Sequence, residues 1–406
     1  MAGFLHKLKW YTFDKVITPW NLFRLRRKKK IRVLFILTEL SIWKSERLYL
    51  KMREHPRFEP ILGITPTIAD SKDHYDNMLA YCREKKYPFV EISQDKTLVS
   101  QTDADILLYP QPYQGIYYPF HRMVRNYRAL FLCVPYAMHT ILEDWSINNM
   151  YYVHCWQYYF ENEITADEYR QRMVNGGRNL VVTGLPVMDD FLDEDKCGEN
   201  PWKNNSPKKR IIYAPHHTIN NKENQNLKGI NYATILEFGD FMLDMAKKYK
   251  DKVHFAFKPH PYLKKKLLKV WGEERTEAYY REWEEMENSQ LESGQYIGLF
   301  TYSDAMIHDC SSFTVEYFYA HRPVMYLVKD SHHAENGTKM LKEAFRLHYH
   351  GHNQEEIEQF IQNVINGKDV MSEERETFYK NYLVPPSDKS ACDNIIDAIL
   401  TKMLYH

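Results

Sequence analysis

The stretch IRVLFILT (residues 31–38) is a near-continuous run of β-branched and apolar residues, the pattern of a strand buried on both faces of a parallel sheet. A helical stretch over residues 43–53 and EPILGI (59–64) follow it, so the chain opens as a βαβ unit. Further strand candidates are YPFVEI (87–92), DILLYP (105–110), ALFLCVPY (129–136) and NLVVTGLP (179–186), with helical stretches between several of them. Strands alternating with helices over this length predict an open, mostly parallel α/β sheet, and a first domain over residues 31–192. The polar segment DEDKCGENPWKNNSPKK (193–209) contains two prolines and a glycine and reads as a linker between domains. Beyond it lie RIIYAPHH (210–217), a helix over 231–249, VHFAFKPHP (253–261), a charged helix over 263–286, the apolar YIGLF (296–300), DAMIHD (304–309), a helix in SSFTVEYFYAH (311–321) and PVMYLV (323–328). This second α/β series predicts a domain over 210–385, followed by a C-terminal helix over 386–406. Two such sheets in tandem predict a cleft between their C-terminal strand edges, where open α/β folds take ligands.

Bulk properties agree with two packed cores. A chain of 406 residues exceeds what one core supports, and 44% hydrophobic with 15% aromatic residues excludes a disordered chain. The six cysteines, Cys82, Cys133, Cys155, Cys197, Cys310 and Cys392, have no paired spacing and read as reduced thiols of a cytosolic protein. No apolar run approaches the ~18 residues that a bilayer span requires. Neither GxGxxG nor GxxxxGK[ST] occurs, so dinucleotide and ATP sites of those types have no support.

Charge is zero overall but uneven. Nine Lys/Arg against the single acid Asp14 make residues 1–30 a segment of +8 and leave −8 for the remainder. Aromatic and aliphatic residues interleave with those charges, which fits an amphipathic segment lying in the headgroup region of an anionic membrane surface. The competing expectation is a helix packed on the body with a solvated basic end. Nucleic acid is disfavoured, because the rest of the chain is acidic and carries no recognisable nucleic-acid motif.

Chemistry-bearing residues gather where strands end. In HDCSSFTVEYF (308–318), Asp309, Ser311 and Ser312 precede a helical pattern. They serve either as caps for its orphan N–H groups or as part of a phosphate seat built on those groups. KPHP (258–261) brings Lys258 and His260 off the end of a buried strand, able to steady phosphate oxygens or move a proton. YAPHH (213–217) does the same for His216 and His217, and VPYAMHT (134–140) for His139. His332, His333 and the HYHGH run (348–352) match no common metal spacing and read as a flexible, solvated stretch.

Taken together, these motifs resemble the CDP-glycerol glycerophosphotransferase family, enzymes that build or prime glycerol-phosphate polymers such as teichoic acids. The resemblance spans roughly residues 134–397 and rests on VVTGLPVMDDFL (181–192), IIYAP (211–215), FKPHP (257–261), SDAMIHDCSSFTVEYFYAHRPVMYL (303–327) and DKSACDNIIDAI (388–399), in that order. It implies a GT-B architecture of two Rossmann-like domains, with the donor nucleotide held mainly by the second, and peripheral attachment to the inner face of the cell membrane. Carried over by motif, His260 stands for the family's functional histidine and Ser311 and Ser312 for the serines that contact the donor's phosphates. His139 stands for the first-domain histidine proposed as catalytic base, although the family's Trp-His-Gly-Thr-Pro run is reduced here to MHT. The Thr-x-Arg that follows YAP in the family is His216, His217 and Thr218 here, and the tyrosine before the two serines is Cys310.

The expected catalytic residues are therefore His139 and His260, and the expected donor-phosphate contacts Ser311, Ser312, Lys258, Asp309 and His217. The resemblance implies transfer of a polyol phosphate from CDP-glycerol or a related nucleotide-activated donor to a glycan or lipid-linked acceptor, with no cofactor or metal required. Two rivals stay open: a GT-B glycosyltransferase using a nucleotide-sugar, and a non-catalytic, membrane-docked partner of a polymer-synthesis complex.

Overall fold

The computed structural model describes residues 10–68, 72–111, 114–192, 200–203, 207–219, 231–294, 296–329 and 336–404. Most of the expected linker (193–199 and 204–206), the first nine residues of the basic segment, and His332 and His333 lie outside the described residues. The chain divides into two units, residues 1–189 with 384–406, and residues 190–383.

The first unit is a seven-stranded sheet of β1 (Ile31–Leu37), β2 (Phe58–Ile64), β3 (Phe89–Glu91), β4 (Ile106–Tyr109), β5 (Leu130–Cys133), β6 (Gln157–Phe160) and β7 (Leu180–Val182), in the order β3-β2-β1-β4-β5-β6-β7. Every pairing is parallel, with Ile31 opposite Phe58 and Val33 opposite Ile106. The apolar run of β1 is explained by its central place. Val33, Phe35 and Leu37 enter one core layer and Leu34 and Ile36 the other, the alternation that a strand covered on both faces requires.

Two segments expected to stand apart belong to this unit. The helix Ala391–Leu404 buries Cys392, Ile395, Ile396, Ile399 and Met403 in the same layer as Leu48, Tyr49 and Met52 of the helix Glu46–Glu54. Its first turn is capped from a distance: the Asp189 carboxylate accepts the N–H groups of Ala391 (2.6 Å) and Cys392 (2.9 Å), satisfying donors that the helix itself leaves orphaned. The basic segment packs similarly, with Trp10, Phe13, Leu22 and Leu25 buried against the sheet. Two of its cations are used internally, Lys28 Nζ at 2.7 Å and Arg24 at 3.6 Å from the buried Asp105 carboxylate. The described part of the basic segment is thus a layer of the first unit, the packing that the competing expectation foresaw. Its outer side still shows Tyr11, Val16, Trp20 and Phe23 to solvent. No helix among the described residues is long and apolar enough to cross a membrane.

The second unit is a six-stranded parallel sheet of β8 (Lys209–Ala214), β9 (Val253–Phe257), β10 (Ser289–Leu291), β11 (Ala305–His308), β12 (Val324–Leu327) and β13 (Tyr349–Gly351), ordered β10-β9-β8-β11-β12-β13. The chain runs outward from β8 through β9 and β10, then returns to β11 on the other side of β8. That reversal is the switch point at which open α/β sheets leave a crevice at the strands' C-terminal ends.

Local details depart from expectation here. The long charged helix is two, Leu263–Trp271 and Glu273–Glu285, broken at Gly272 with φ +82°. YIGLF is helical over Ile297–Thr301, and the strands β6, β10 and β13, each three or four residues long, carry too little pattern to be read. The HYHGH run is not a solvated loop. His348 is buried, its Nδ1 on Ala344 O (2.7 Å) and its Nε2 3.2 Å from that of His308, and Tyr349–Gly351 form the edge strand.

Candidate functional site

Three adjacent strands of the second unit, β9, β8 and β11, end side by side at this switch point, and most of the expected donor-site residues follow them. Lys258 N–H bonds Tyr213 O (2.8 Å) and His260 N–H bonds Pro215 O (3.0 Å), so the segments after β8 and β9 are stitched together. Pro259 and Pro261 cannot donate to a ladder and end the pairing there. The consequence is a cluster of imidazoles. The ring centroids of His216 and His217 lie 4.7 and 4.0 Å from that of His260 and 4.3 Å from each other.

The protonation of this cluster differs from expectation. Burial first, then the nearby His217 and Lys258, pushes His260 down to about 3, and burial with Lys266 pushes His217 down to about 4. Both rings are neutral near pH 7 in the unliganded unit, so neither supplies the positive charge foreseen for phosphate there. Lys258 is the fixed cation at this edge. It is 9% exposed, and its Nζ donates to Gly294 O at 2.9 Å, beyond the end of β10.

Asp309, foreseen as a donor-phosphate contact, is a brace instead. It is fully buried, and its two oxygens accept His216 N–H (2.6 Å), Thr234 N–H (2.6 Å) and the Thr234 hydroxyl (2.8 Å). The carboxylate thus holds the His216 loop and the start of the helix Ile235–Lys248, and a buried anion would repel phosphate. Burial raises its pKa to about 6 against these lowering hydrogen bonds.

Ser311 and Ser312 are half-buried at the surface of the unit. Ser312 occupies the cap position of Phe313–Glu316 yet makes no side-chain cap bond, and the turn tightens to 3₁₀ over Tyr317–Ala320. Capping therefore does not account for it. Its hydroxyl stands 3.4 Å from Cys310 Sγ, a thiol that burial pushes up to about 11 while Ser312 and the Phe313 amide act in the opposite direction.

His139 lies in the first unit and is not presented as a free base. It is buried, stacked on Phe160 at 3.9 Å, with Nδ1 2.7 Å from Glu161 Oε2 and Nε2 2.7 Å from Tyr158 Oη. Both ring nitrogens are engaged in the unliganded unit, Nδ1 by a carboxylate and Nε2 by a hydroxyl. Sequence reasoning also gave no role to Thr234, Gly294, Glu161 or Tyr158, whose parts arise from pairings distant in the chain.

Two open parallel sheets in tandem, the second with a polar switch-point edge, define a chain of the GT-B class. A model of the family described as CDP-Glycerol:Poly(glycerophosphate) glycerophosphotransferase matches residues 140–401, and the chain belongs to that family. It is accordingly a transferase of the glycerophosphotransferase kind. Comparison with curated protein sequences finds no match. Among solved structures, the chain is similar to a variant of the wall teichoic acid polymerase TagF soaked with CDPG, at 14% identity and a TM-score of 0.63, covering 98% of this chain and 93% of that one. It is also similar to a UDP co-structure of MnaA from S. aureus (14%, TM-score 0.58, 93% and 98% covered) and to a putative UDP-N-acetylglucosamine 2-epimerase from Listeria monocytogenes (13%, 0.57, 92% and 96%). At these identities the likeness is one of fold.

Proposed function

We propose that the protein transfers a glycerol-phosphate or related polyol-phosphate unit from a CDP-activated donor to a hydroxyl of a cell-envelope glycan or lipid-linked acceptor, releasing CMP. The observation that carries this reading is the family-model match over residues 140–401, supported by the buried Lys258 after β9 and the half-buried Ser311 and Ser312 after β11, Ser312 making no cap bond, at the ends of strands that flank β8 in one sheet. In the proposed reaction the acceptor oxygen bonds to the distal phosphorus as its proton passes to His260, the bond to the bridging oxygen breaks, and CMP departs with that oxygen. Such a transfer demands positioning and charge neutralisation more than covalent help from the protein. Lys258 neutralises the diphosphate, the two hydroxyls orient it, and the neutral His217 and His260 gain basicity as the anion arrives beside them.

The test is thermal stabilisation by CDP-glycerol, CDP-ribitol and a panel of UDP- and GDP-sugars. A CDP-polyol is expected to stabilise the chain selectively; selective stabilisation by a nucleotide-sugar sinks the polyol-phosphate reading. Replacing both serines, Ser311→Ala with Ser312→Ala, is expected to weaken CDP-glycerol binding about 10- to 100-fold, the range for hydrogen bonds to a charged group. Unchanged affinity would remove the serines from the site.

We also place the first unit on an anionic membrane surface. Trp20 and Phe23 are exposed and stacked at 5.9 Å, with the Arg27 guanidinium 4.0 Å over the Phe23 ring, an aromatic and basic pairing suited to the headgroup layer. Trp20→Ser with Phe23→Ser is expected to lower co-sedimentation with phosphatidylglycerol vesicles severalfold, whereas equal sedimentation would contradict the docking.

A further inference from the structure

We infer that His216, His217 and His260 form a binding site for a divalent transition-metal ion, with Zn²⁺ the best fit. One ring nitrogen from each lies within 4.8 Å of the other two, and among the described residues no other group of three His, Cys, Asp or Glu side chains is gathered in this way. A tetrahedral Zn²⁺ with bonds of about 2.0–2.1 Å holds its nitrogens roughly 3.4 Å apart, a contraction within reach of side-chain rotation for the half-buried His217 and His260.

An independent sign comes from His217, whose Nδ1 is buried without a hydrogen-bond partner. An orphaned buried nitrogen is costly unless something occupies it. The supports expected behind metal ligands are also in place. His216 Nδ1 stands 3.2 Å from the Thr218 hydroxyl, and its backbone N–H is fixed by the Asp309 carboxylate, an anion one peptide away from the proposed dication. His260 Nδ1 takes the exposed Tyr262 N–H at 3.1 Å, a bond that water can replace when the ring turns a lone pair to the metal. Three imidazoles leave a coordination position open, the arrangement of zinc sites that bind a further oxygen ligand. Lys258 and Lys266 lie near these rings and oppose a dication, which sets the expected affinity in the micromolar range rather than the picomolar. Binding of the ion does not depend on the donor reading.

The test uses the full-length, untagged chain stripped with a chelator and titrated with Co²⁺, which reports tetrahedral coordination by intense visible ligand-field bands. One ion per chain is expected, displaced by Zn²⁺. His217→Gln and His260→Gln are each expected to weaken binding at least tenfold in protein whose circular dichroism is unchanged, while His352→Gln at the exposed His352–Glu356 pair leaves it intact. Absence of the bands, or loss caused equally by His352→Gln, overturns the site. CDP-glycerol stabilisation of the metal-free chain is read separately: donor binding without Co²⁺ bands would sink the metal site alone, and Co²⁺ bands without donor binding would sink the donor reading alone.

Discussion

Asp309→Ala is expected to destabilise the second unit by about 3–5 kcal/mol, because three buried donors lose their acceptor at about 1–3 kcal/mol each and water entering the truncated site restores part of that. The donors are His216 N–H, Thr234 N–H and the Thr234 hydroxyl. The effect depends on pH in a stated direction. Burial lifts the folded pKa of Asp309 to about 6, above its ordinary carboxylate value of 3.8. The group's contribution is therefore fully present below pH 3.8 and is lost as pH rises through about 6. Urea unfolding of the variant against the parent chain should show the largest gap near pH 3.8, a shrinking one through pH 5 and the smallest near pH 8. A gap that widened with pH, or one under 1 kcal/mol throughout, would remove Asp309 from its role as brace.

Lys258→Met should leave the fold intact and lower kcat/KM with CDP-glycerol by about 10²–10³, the range for removing one preorganised electrostatic partner of the transition state. Methionine keeps an unbranched side chain of similar length, and the ammonium it replaces is 9% exposed and bonded to a backbone carbonyl, so little packing is lost. Thermal stability should hold or rise, since a buried charge leaves the unit. Steady-state kinetics of CMP release decides it: activity within threefold of the parent would show that the cation at the end of β9 does not face the reacting phosphate.

What the sequence discloses and what it hides divide along physical lines. Strands buried on both faces, such as β1 and β9, announce themselves through unbroken apolar runs, and KPHP marks a strand end because proline cannot continue a ladder. The four residues of β6 carry no such signature, and missing them concealed the surroundings of His139 as well: Tyr158 and Phe160 lie on that strand and Glu161 follows it. A histidine after a strand is legible in the sequence, but the carboxylate and hydroxyl that hold its ring are not. Asp309 is the same problem in another form. Beside two serines it reads as a cap or a ligand contact, and only the fold shows that its carboxylate reaches Thr234, 75 residues away. The imidazole cluster was half legible. YAPHH and KPHP each present histidines at a strand end, but their meeting depends on the β8–β9 pairing, and their low basicity on burial that no motif encodes. The C-terminal helix reads correctly as a helix, while its place in the first unit rests on Asp189 and an apolar face with no mark of its partner.

Hydrogen–deuterium exchange of the full chain with and without CDP-glycerol bears most directly on the proposed donor seat. The account predicts protection on donor binding at residues 216–218, 258–263 and 311–314, the segments that follow β8, β9 and β11, with Lys258→Met abolishing it. CMP release accompanied by protection confined to other segments would contradict it.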